Sequence, residues 1–164
     1  MKIIKKGVKK LNPLEIKILT EDGKEVKLGE IIKGKWTVLY FYPKDNTPGC
    51  TIEGKEFSEL LGNFESLGVM VYGVSRDSPS SHKRFKEKQG ITVPLLSDPD
   101  GTLHKALGAW GRKIGGKEGA IRSTFIFDPE GRVVWSMKSV KPRGHAKEVL
   151  EIAKTLIASG KNSS

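Results

Sequence analysis

The order of apolar and polar positions predicts an α/β chain in which short strands alternate with helices. Apolar and polar residues alternate over Glu15–Thr20, and the Asp22-Gly23 pair after them favours a tight hairpin turn. The run Trp36–Tyr42 is apolar or β-favouring throughout, which is typical of a central strand buried on both faces. Val69–Ser75 predicts a second strand of the same kind.

Helical spacing separates these strands and closes the chain. Apolar residues over 57–67 predict a helix that ends at Gly68, and a polar helix over 78–89 ends at Gly90. A short strand at 93–96, a turn at 98–101 and another short helix follow. We then expect an antiparallel hairpin over 123–137 and a last helix over about 145–157.

This order predicts a three-layer α/β fold with a mixed central sheet, which matches a thioredoxin-like fold carrying an N-terminal β-hairpin extension. No repeat or linker divides the chain, so we expect one domain over 1–164, with a core over about 15–157 and a basic polar tail at 158–164. The longest strongly apolar run is Trp36–Tyr42, far shorter than the roughly 20 residues of a membrane helix.

The formal net charge of +10 is concentrated at the two ends of the chain. Residues 1–40 carry +5 and residues 138–164 carry +4, whereas 41–137 are close to neutral. Most of the cations are lysines beside apolar or acidic neighbours, which favours a solvated surface over a nucleic-acid site. The basic start Met1–Lys6 is followed by no apolar stretch of the kind a signal peptide needs, so we predict a cytoplasmic protein without membrane or nucleic-acid partners.

Cys50 is the one cysteine in the sequence, which excludes an intramolecular disulfide, a CxxC redox pair and a cysteine-based zinc site. A lone cysteine is either an inert buried thiol or a reactive one. Its place between the central strand and the following helix favours reactivity, because unpaired amides and the helix dipole at a first turn stabilise a thiolate. Thr47 lies three residues earlier, where its hydroxyl could approach the sulfur.

The segment Pro43-x-x-x-Thr47-x-x-Cys50 resembles the active-site pattern of peroxiredoxins, thiol peroxidases that use no metal or haem. The longer run Phe41–Glu53 is similar to the bacterioferritin-comigratory-protein or peroxiredoxin Q subfamily. Further similar segments follow in the same order, so that the resemblance extends from about residue 15 to residue 157; they are 73–78, 81–85, 95–99, 122–131 and 144–146.

The resemblance implies a role for each matching residue. Cys50 would be the peroxidatic cysteine, whose thiolate attacks a peroxide oxygen and becomes a sulfenic acid. The hydroxyl of Thr47 would bond the peroxide and the attacking sulfur. Arg122 would stabilise the thiolate and the charge that develops on the leaving oxygen.

Three further residues would support this frame. Pro43 would shield the sulfur from water, the amides of Gly49 and Cys50 would complete the polar surround, and Glu53 would orient Arg122. Ordinary alternatives stand beside these roles: Pro43 could simply end a strand, Thr47 could cap the helix, and Arg122 could be a surface cation.

The chain departs from the subfamily at position 55, where many members carry a resolving cysteine and this sequence has Lys55, whether natural or a replacement. With no second cysteine, the sulfenic acid on Cys50 could be resolved only by an external thiol: a thioredoxin-like protein, a glutaredoxin-like protein, a small thiol or another chain. We expect a monomer or a small homodimer.

Three hypotheses therefore stand. The first is a one-cysteine peroxidase that reduces hydrogen peroxide and alkyl hydroperoxides. The second is a peroxide-sensing relay that oxidises a partner protein, and the third is a polyanion-binding module in which Cys50 is incidental. No metal or other cofactor is predicted, because His82, His104 and His145 lack metal-ligand spacing and are interpreted as structural or surface residues.

Overall fold

The computed structural model describes residues 12–163, with side chains to residue 160. The basic segment Met1–Lys6 lies outside this range. The strands are β1 (Lys17–Leu19), β2 (Glu25–Lys27), β3 (Trp36–Phe41), β4 (Val69–Ser75), β5 (Leu95–Ser97), β6 (Trp110–Arg112), β7 (Glu118–Ala120), β8 (Ser123–Phe127) and β9 (Val133–Lys138). The helices are α1 (Leu28–Ile32), α2 (Pro48–Glu59), α3 (Leu61–Ser66), α4 (Pro79–Gln89), α5 (Thr102–Leu107) and α6 (His145–Ser163).

Seven strands form one mixed sheet in the order β2-β1-β5-β4-β3-β8-β9. β3 pairs in parallel with β4 and β4 with β5, while β8 runs antiparallel to β3. The predicted N-terminal hairpin, β1–β2, forms one edge of this sheet through the pairing of Leu19 with Ser97. A mixed sheet with helices on its faces confirms the predicted α/β class.

Strand β3 explains why the sheet has a hydrophobic core on each face. Successive side chains of a strand point to opposite faces. Val38 and Tyr40 therefore pack into the core formed with α2, α3, α4 and α6, and Leu39 and Phe41 pack into the core formed with α1 and α5. This is why the run Trp36–Tyr42 consists of apolar or β-favouring residues throughout.

The helix that the spacing predicts over 57–67 is instead two helices. Leu60 leaves the helical conformation between α2 and α3, at φ −98° and ψ 3°. The predicted last helix is correct in its start but too short, because α6 continues to Ser163 through most of the expected polar tail. Three further elements were not predicted: the short 3-10 helix Pro13–Glu15, helix α1, and the β6–β7 hairpin, which forms a separate two-stranded sheet.

Helix α4 shows how local sequence fixes an element boundary. The hydroxyl of Ser78 accepts a hydrogen bond from the amide of Ser81 at 3.2 Å, Pro79 occupies the first turn, and Gly90 ends the helix in the left-handed region at φ 69°. None of the described helices combines the length and the apolar character that crossing a bilayer demands.

Candidate active site

The register of the sheet brings Cys50 and Arg122 to the same edge. Phe41, the last residue of β3, pairs with Ser123, the first residue of the antiparallel strand β8. Arg122 therefore lies beside the end of β3, where the chain turns through Pro43–Thr47 into α2. Residues 72 positions apart in sequence are in this way held in contact.

Cys50 lies in the first turn of α2 with only 1% of its surface exposed. Thr47 is the N-cap and Pro48 the first helical residue, a position that tolerates proline because its amide is unpaired in any case. The first hydrogen bond of the helix ladder joins the amide of Thr51 to the carbonyl of Thr47 at 2.9 Å. The amides of Gly49 and Cys50 precede it and are free of the ladder, because first-turn amides have no partner within a helix.

Arg122 binds the sulfur and a carboxylate at once. Its Nη2 donates to the Sγ of Cys50 at 3.4 Å, and its Nη1 donates to the Oε1 of Glu53 at 2.7 Å. Partial burial opposes the charged guanidinium, but Glu53 and Cys50 outweigh it and raise the pKa of Arg122 above its ordinary value. Arg122 is thus a fixed cation at the thiol, and not the free surface cation of the alternative interpretation.

Glu53 is fully buried one turn of α2 beyond Cys50. Burial raises the pKa of Glu53 to about 7, and the charge and hydrogen bond of Arg122 oppose this only in part. Its second oxygen, Oε2, is also buried and has no hydrogen-bond partner in the described part of the chain. Within the described residues, Glu53 therefore makes its side-chain hydrogen bond through Oε1 alone, to Arg122.

Thr47 and Pro43 lie on the loop that enters α2. The hydroxyl of Thr47 donates to the carbonyl of Lys44 at 2.9 Å, and it makes no capping bond to the helix. Because the hydroxyl proton is used in this way, the oxygen presents its lone pairs to any incoming donor. Pro43 is half-buried two residues after the end of β3, and Lys55 is exposed on α2.

Gly49 is required by the close packing of two neighbours. A Cβ atom at this position would lie 3.1 Å from Nη2 of Arg122 and 3.2 Å from Cγ of Pro142. Pro142 belongs to the segment after β9, which is also bound to the site through the amide of Val140 on the carbonyl of Arg122 at 3.2 Å. The absence of a side chain at Gly49 therefore lets the guanidinium reach the sulfur.

Several polar residues next to the site were not predicted to belong to it. Tyr40 stacks on Phe57 with ring centroids 4.4 Å apart, and burial together with Glu53 and Cys50 raises its pKa well above the ordinary value. Asp45 and His82 form a buried pair with a 2.9 Å contact behind the loop. No local sequence pattern predicts the Asp45–His82 pair, because the two residues are 37 positions apart.

The three histidines are all buried, so the surface interpretation of them is wrong. His82 and His104 contact Asp45 and Asp98, and Nε2 of His145 lies 2.7 Å from the hydroxyl of Thr124. Within residues 12–160, no three His, Cys, Asp or Glu side chains are grouped as a metal site requires. The chemistry that the described groups offer is that of a thiol next to a fixed cation and unpaired amides.

The chain is similar in sequence to known proteins. The sequence profile of the AhpC/TSA family matches residues 9–136. Peroxiredoxin Bcp of Xanthomonas campestris is 49% identical over 124 residues, covering 74% of this chain and 78% of the relative. Peroxiredoxin Bcp of Bacillus subtilis is 42% identical over 145 residues, covering 87% and 92%.

Solved structures extend the similarity to the whole fold. The bacterioferritin comigratory protein of Xanthomonas campestris, studied for its alkyl peroxide reduction activity with trapped intermediates and ligands, superposes with a TM-score of 0.82 at 42% identity. The superposition covers 88% of this chain and 94% of that one. The predicted thioredoxin-like fold of the peroxiredoxin type is confirmed.

Proposed function

The chain belongs to the AhpC/TSA family as a peroxiredoxin of the Bcp and peroxiredoxin Q type, and on this basis we propose that it reduces hydrogen peroxide and alkyl hydroperoxides through Cys50 in a one-cysteine cycle. The observation that carries the proposal is the position of Arg122, 3.4 Å from the sulfur and held there by Glu53. The alkyl hydroperoxide class is supported by the activity studied in the Xanthomonas campestris relative.

In the first step the Cys50 thiolate attacks the terminal oxygen of the peroxide. The S–O bond forms as the O–O bond breaks, so that the sulfur loses two electrons and becomes a sulfenic acid while an alkoxide or hydroxide leaves and takes a proton from water. The thiolate is favoured by the first-turn amides of α2 and by Arg122. The same guanidinium stabilises the charge on the leaving oxygen as it develops.

In this scheme Thr47 binds the peroxide and Pro43 shields the sulfur from water. The oxygen of Thr47 accepts the O–H of the peroxide, since its own proton is given to Lys44. Pro43 covers the sulfur from the end of β3. Glu53 holds Arg122 in the orientation that serves both the thiolate and the leaving group.

The second half of the cycle requires another molecule, because the sequence contains no second cysteine. An external thiol attacks the sulfenic sulfur to give a mixed disulfide and water, and a second thiol then releases Cys50 as the reduced thiol and carries away the disulfide. The reductant is a thioredoxin-like protein, a glutaredoxin-like protein or a small thiol. We keep the cytoplasm as compartment and a monomer or small homodimer as assembly within this proposal.

A direct test measures the oxidation state of the Cys50 sulfur after reaction with peroxide. One equivalent of peroxide is added to the reduced protein, and mass spectrometry with a sulfenic-acid trap locates the product before and after each candidate thiol is added. We expect trapping at Cys50 and its reversal by dithiothreitol, and peroxide consumption that disappears in Cys50→Ser. Consumption at the wild-type rate in Cys50→Ser would refute the proposal.

The single cysteine also favours the relay hypothesis, because any disulfide that Cys50 forms must join it to another molecule. A relay predicts one specific mixed disulfide that accumulates from cell extract under peroxide and that Cys50→Ser abolishes. If turnover with small thiols is fast and no partner accumulates, the relay is excluded and the peroxidase stands.

A further inference from the structure

A buried polar cluster lies behind the loop that carries Thr47. At its centre is the carboxylate of Asp45, which is only 6% exposed. Its Oδ1 accepts a hydrogen bond from the hydroxyl of Tyr42 at 2.7 Å, and its Oδ2 accepts one from the hydroxyl of Ser81 at 2.7 Å. Nδ1 of His82, a fully buried residue of α4, lies 2.9 Å from the same Oδ2.

The hydrogen-bond partners of His82 determine where its protons are. Nε2 lies 3.0 Å from the carbonyl oxygen of Leu96, which can only accept, so Nε2 carries a proton. Nδ1 faces a carboxylate that already receives Tyr42 and Ser81, so the ring donates there as well. His82 and Asp45 therefore form an imidazolium–carboxylate pair inside the protein.

The ionised state of Asp45 agrees with this arrangement. Burial alone would raise the pKa of Asp45, but the hydrogen bonds and charge of His82, helped by Tyr42 and Ser81, lower it below the ordinary value. A buried ion pair of this kind adds little net stability, since losing the water around two charges offsets most of their attraction. What it does fix is geometry, because Asp45 is held by three neighbours at once, Tyr42, Ser81 and His82.

The backbone of the loop is held by the same part of the molecule. The amide of Asp45 donates to Oδ2 of Asp77 at 2.9 Å, and the hydroxyl of Ser75 donates to the same oxygen at 2.7 Å. Asn46 adopts the left-handed conformation at φ 63°, and Thr47 begins α2 directly after it. The loop is thus bound to β4 and α4, and it leads through Thr47 directly into the helix that carries Cys50.

We propose that Asp45 and His82 are positioning residues for peroxide reduction: their buried ion pair fixes the Pro43–Thr47 loop so that the hydroxyl of Thr47 is aligned with the sulfur of Cys50. This inference rests on the proposed peroxidase function. The pair touches neither sulfur nor peroxide and acts through the loop. Loss of the pair therefore slows peroxide reduction, which needs the aligned hydroxyl of Thr47, more than it slows alkylation, which needs only the thiolate of Cys50.

Two second-order rate constants of Cys50 separate these effects, one for peroxide and one for alkylation by iodoacetamide. Asp45→Asn keeps the shape of the side chain but removes its charge, and we expect the ratio of the peroxide to the alkylation rate constant to fall by roughly ten-fold or more. Tyr42→Phe and Ser81→Ala each remove one hydrogen bond to Asp45, and for each we expect a smaller fall of about three-fold. If Asp45→Asn does not fold, Tyr42→Phe and Ser81→Ala still test the proposal.

The chain contains a matched control, a second buried pair in the other core. Nδ1 of His104 lies 2.7 Å from Oδ2 of Asp98, and both side chains are buried to a similar degree as His82 and Asp45. Asp98→Asn should lower the melting temperature without changing the ratio of the peroxide rate constant to the alkylation rate constant.

The outcomes distinguish this inference from the function on which it rests. A wild-type protein whose Cys50 does not react with peroxide refutes the function itself. A reactive wild type whose ratio is unchanged in Asp45→Asn, Tyr42→Phe and Ser81→Ala overturns the positioning role alone. The positioning role is equally overturned if Asp98→Asn lowers the ratio as much, because the effect would then be one of general stability.

Discussion

Glu53 and Arg122 form a 2.7 Å ion pair in which the carboxylate is completely buried and the guanidinium extends to the sulfur of Cys50. The pair joins α2 to the start of β8, so the helix that carries the thiol and the strand that carries the cation are locked together. One side chain therefore serves both the architecture and the chemistry of the site. Substitutions of Glu53 and Arg122 should therefore change the peroxide rate constant and the free energy of unfolding by different amounts.

Replacing Arg122 tests its two contacts. Arg122→Ala should lower the second-order rate constant for peroxide by roughly 100-fold or more, as expected when a fixed donor to developing charge is removed. Arg122→Lys keeps the charge but not the two-pronged geometry and should lie between alanine and wild type. Stopped-flow measurement of Cys50 oxidation gives these values. Arg132→Ala, at an exposed and also ion-paired arginine, should leave the rate unchanged; equal losses in both variants would contradict the assignment.

The hydroxyl of Thr47 should matter more than its methyl group. Thr47→Val keeps the shape but removes the acceptor, and we expect the peroxide rate constant to fall roughly ten-fold or more, whereas Thr47→Ser should remain within about three-fold of wild type. Stopped-flow oxidation of Cys50 at several peroxide concentrations measures both. If valine and serine lose activity equally, the contribution of Thr47 is packing and not hydrogen bonding.

Glu53 should give the unfolding free energy a distinctive pH dependence. Its folded pKa, about 7, is above the ordinary 4.5, so the folded state binds this proton more tightly than the unfolded state does. The associated stability is therefore fully present below about pH 4.5, is lost as pH rises towards about 7, and changes no further above that. The shift corresponds to a loss on the order of 3 kcal/mol.

Urea unfolding of Glu53→Gln at pH 5 and pH 8 isolates this contribution. Glutamine cannot ionise but still accepts from Arg122, so the decline between the two pH values should be smaller in the variant than in the wild type. Glu59→Gln, at an exposed position on the same helix, serves as the control and should retain the wild-type decline. Identical curves for Glu53→Gln and wild type would show that the buried carboxyl does not titrate in this range.

Gly49 offers a steric test of the position of the guanidinium. The added methyl group in Gly49→Ala would contact Nη2 of Arg122 and Pro142, and we expect it to displace the guanidinium from the sulfur and lower the peroxide rate constant roughly ten-fold. Gly62→Ala in α3 is the matched control, because no atom lies within 4 Å of the added methyl group. It should keep the rate and gain up to about 1 kcal/mol of stability from helix propensity. Equal rates in the two variants would exclude a steric role for Gly49.

The sequence predicts an element well where residues close together in the chain determine its burial or its ends. The apolar or β-favouring residues of β3 favour a strand that is covered on both faces, and Ser78-Pro79 and Gly90 mark the two ends of α4. The break at Leu60 was missed because Leu60 and Leu61 both continue the apolar spacing. The β6–β7 hairpin was missed because the glycine-rich stretch around it shows no alternation.

The candidate site was predictable only where one segment resembles a known motif. Pro43, Thr47 and Cys50 lie within eight positions of one another, and Arg122 was assigned by resemblance. The contact between Arg122 and Cys50 follows from the pairing of Phe41 with Ser123, a register that no local pattern states. The Asp45–His82 pair depends on tertiary packing of α4 against the loop, which is why His82 was interpreted without a partner.

The break at Leu60 gives α2 an independence that a continuous helix would lack. An isolated helix of 12 residues is marginal in water, so α2 persists through Phe57 in the core and through the contacts of its first turn. Because α3 is a separate helix, the first turn of α2 can loosen without unwinding α3. We therefore expect the amides of α2 to exchange with deuterium sooner than those of the central strands β3 and β4.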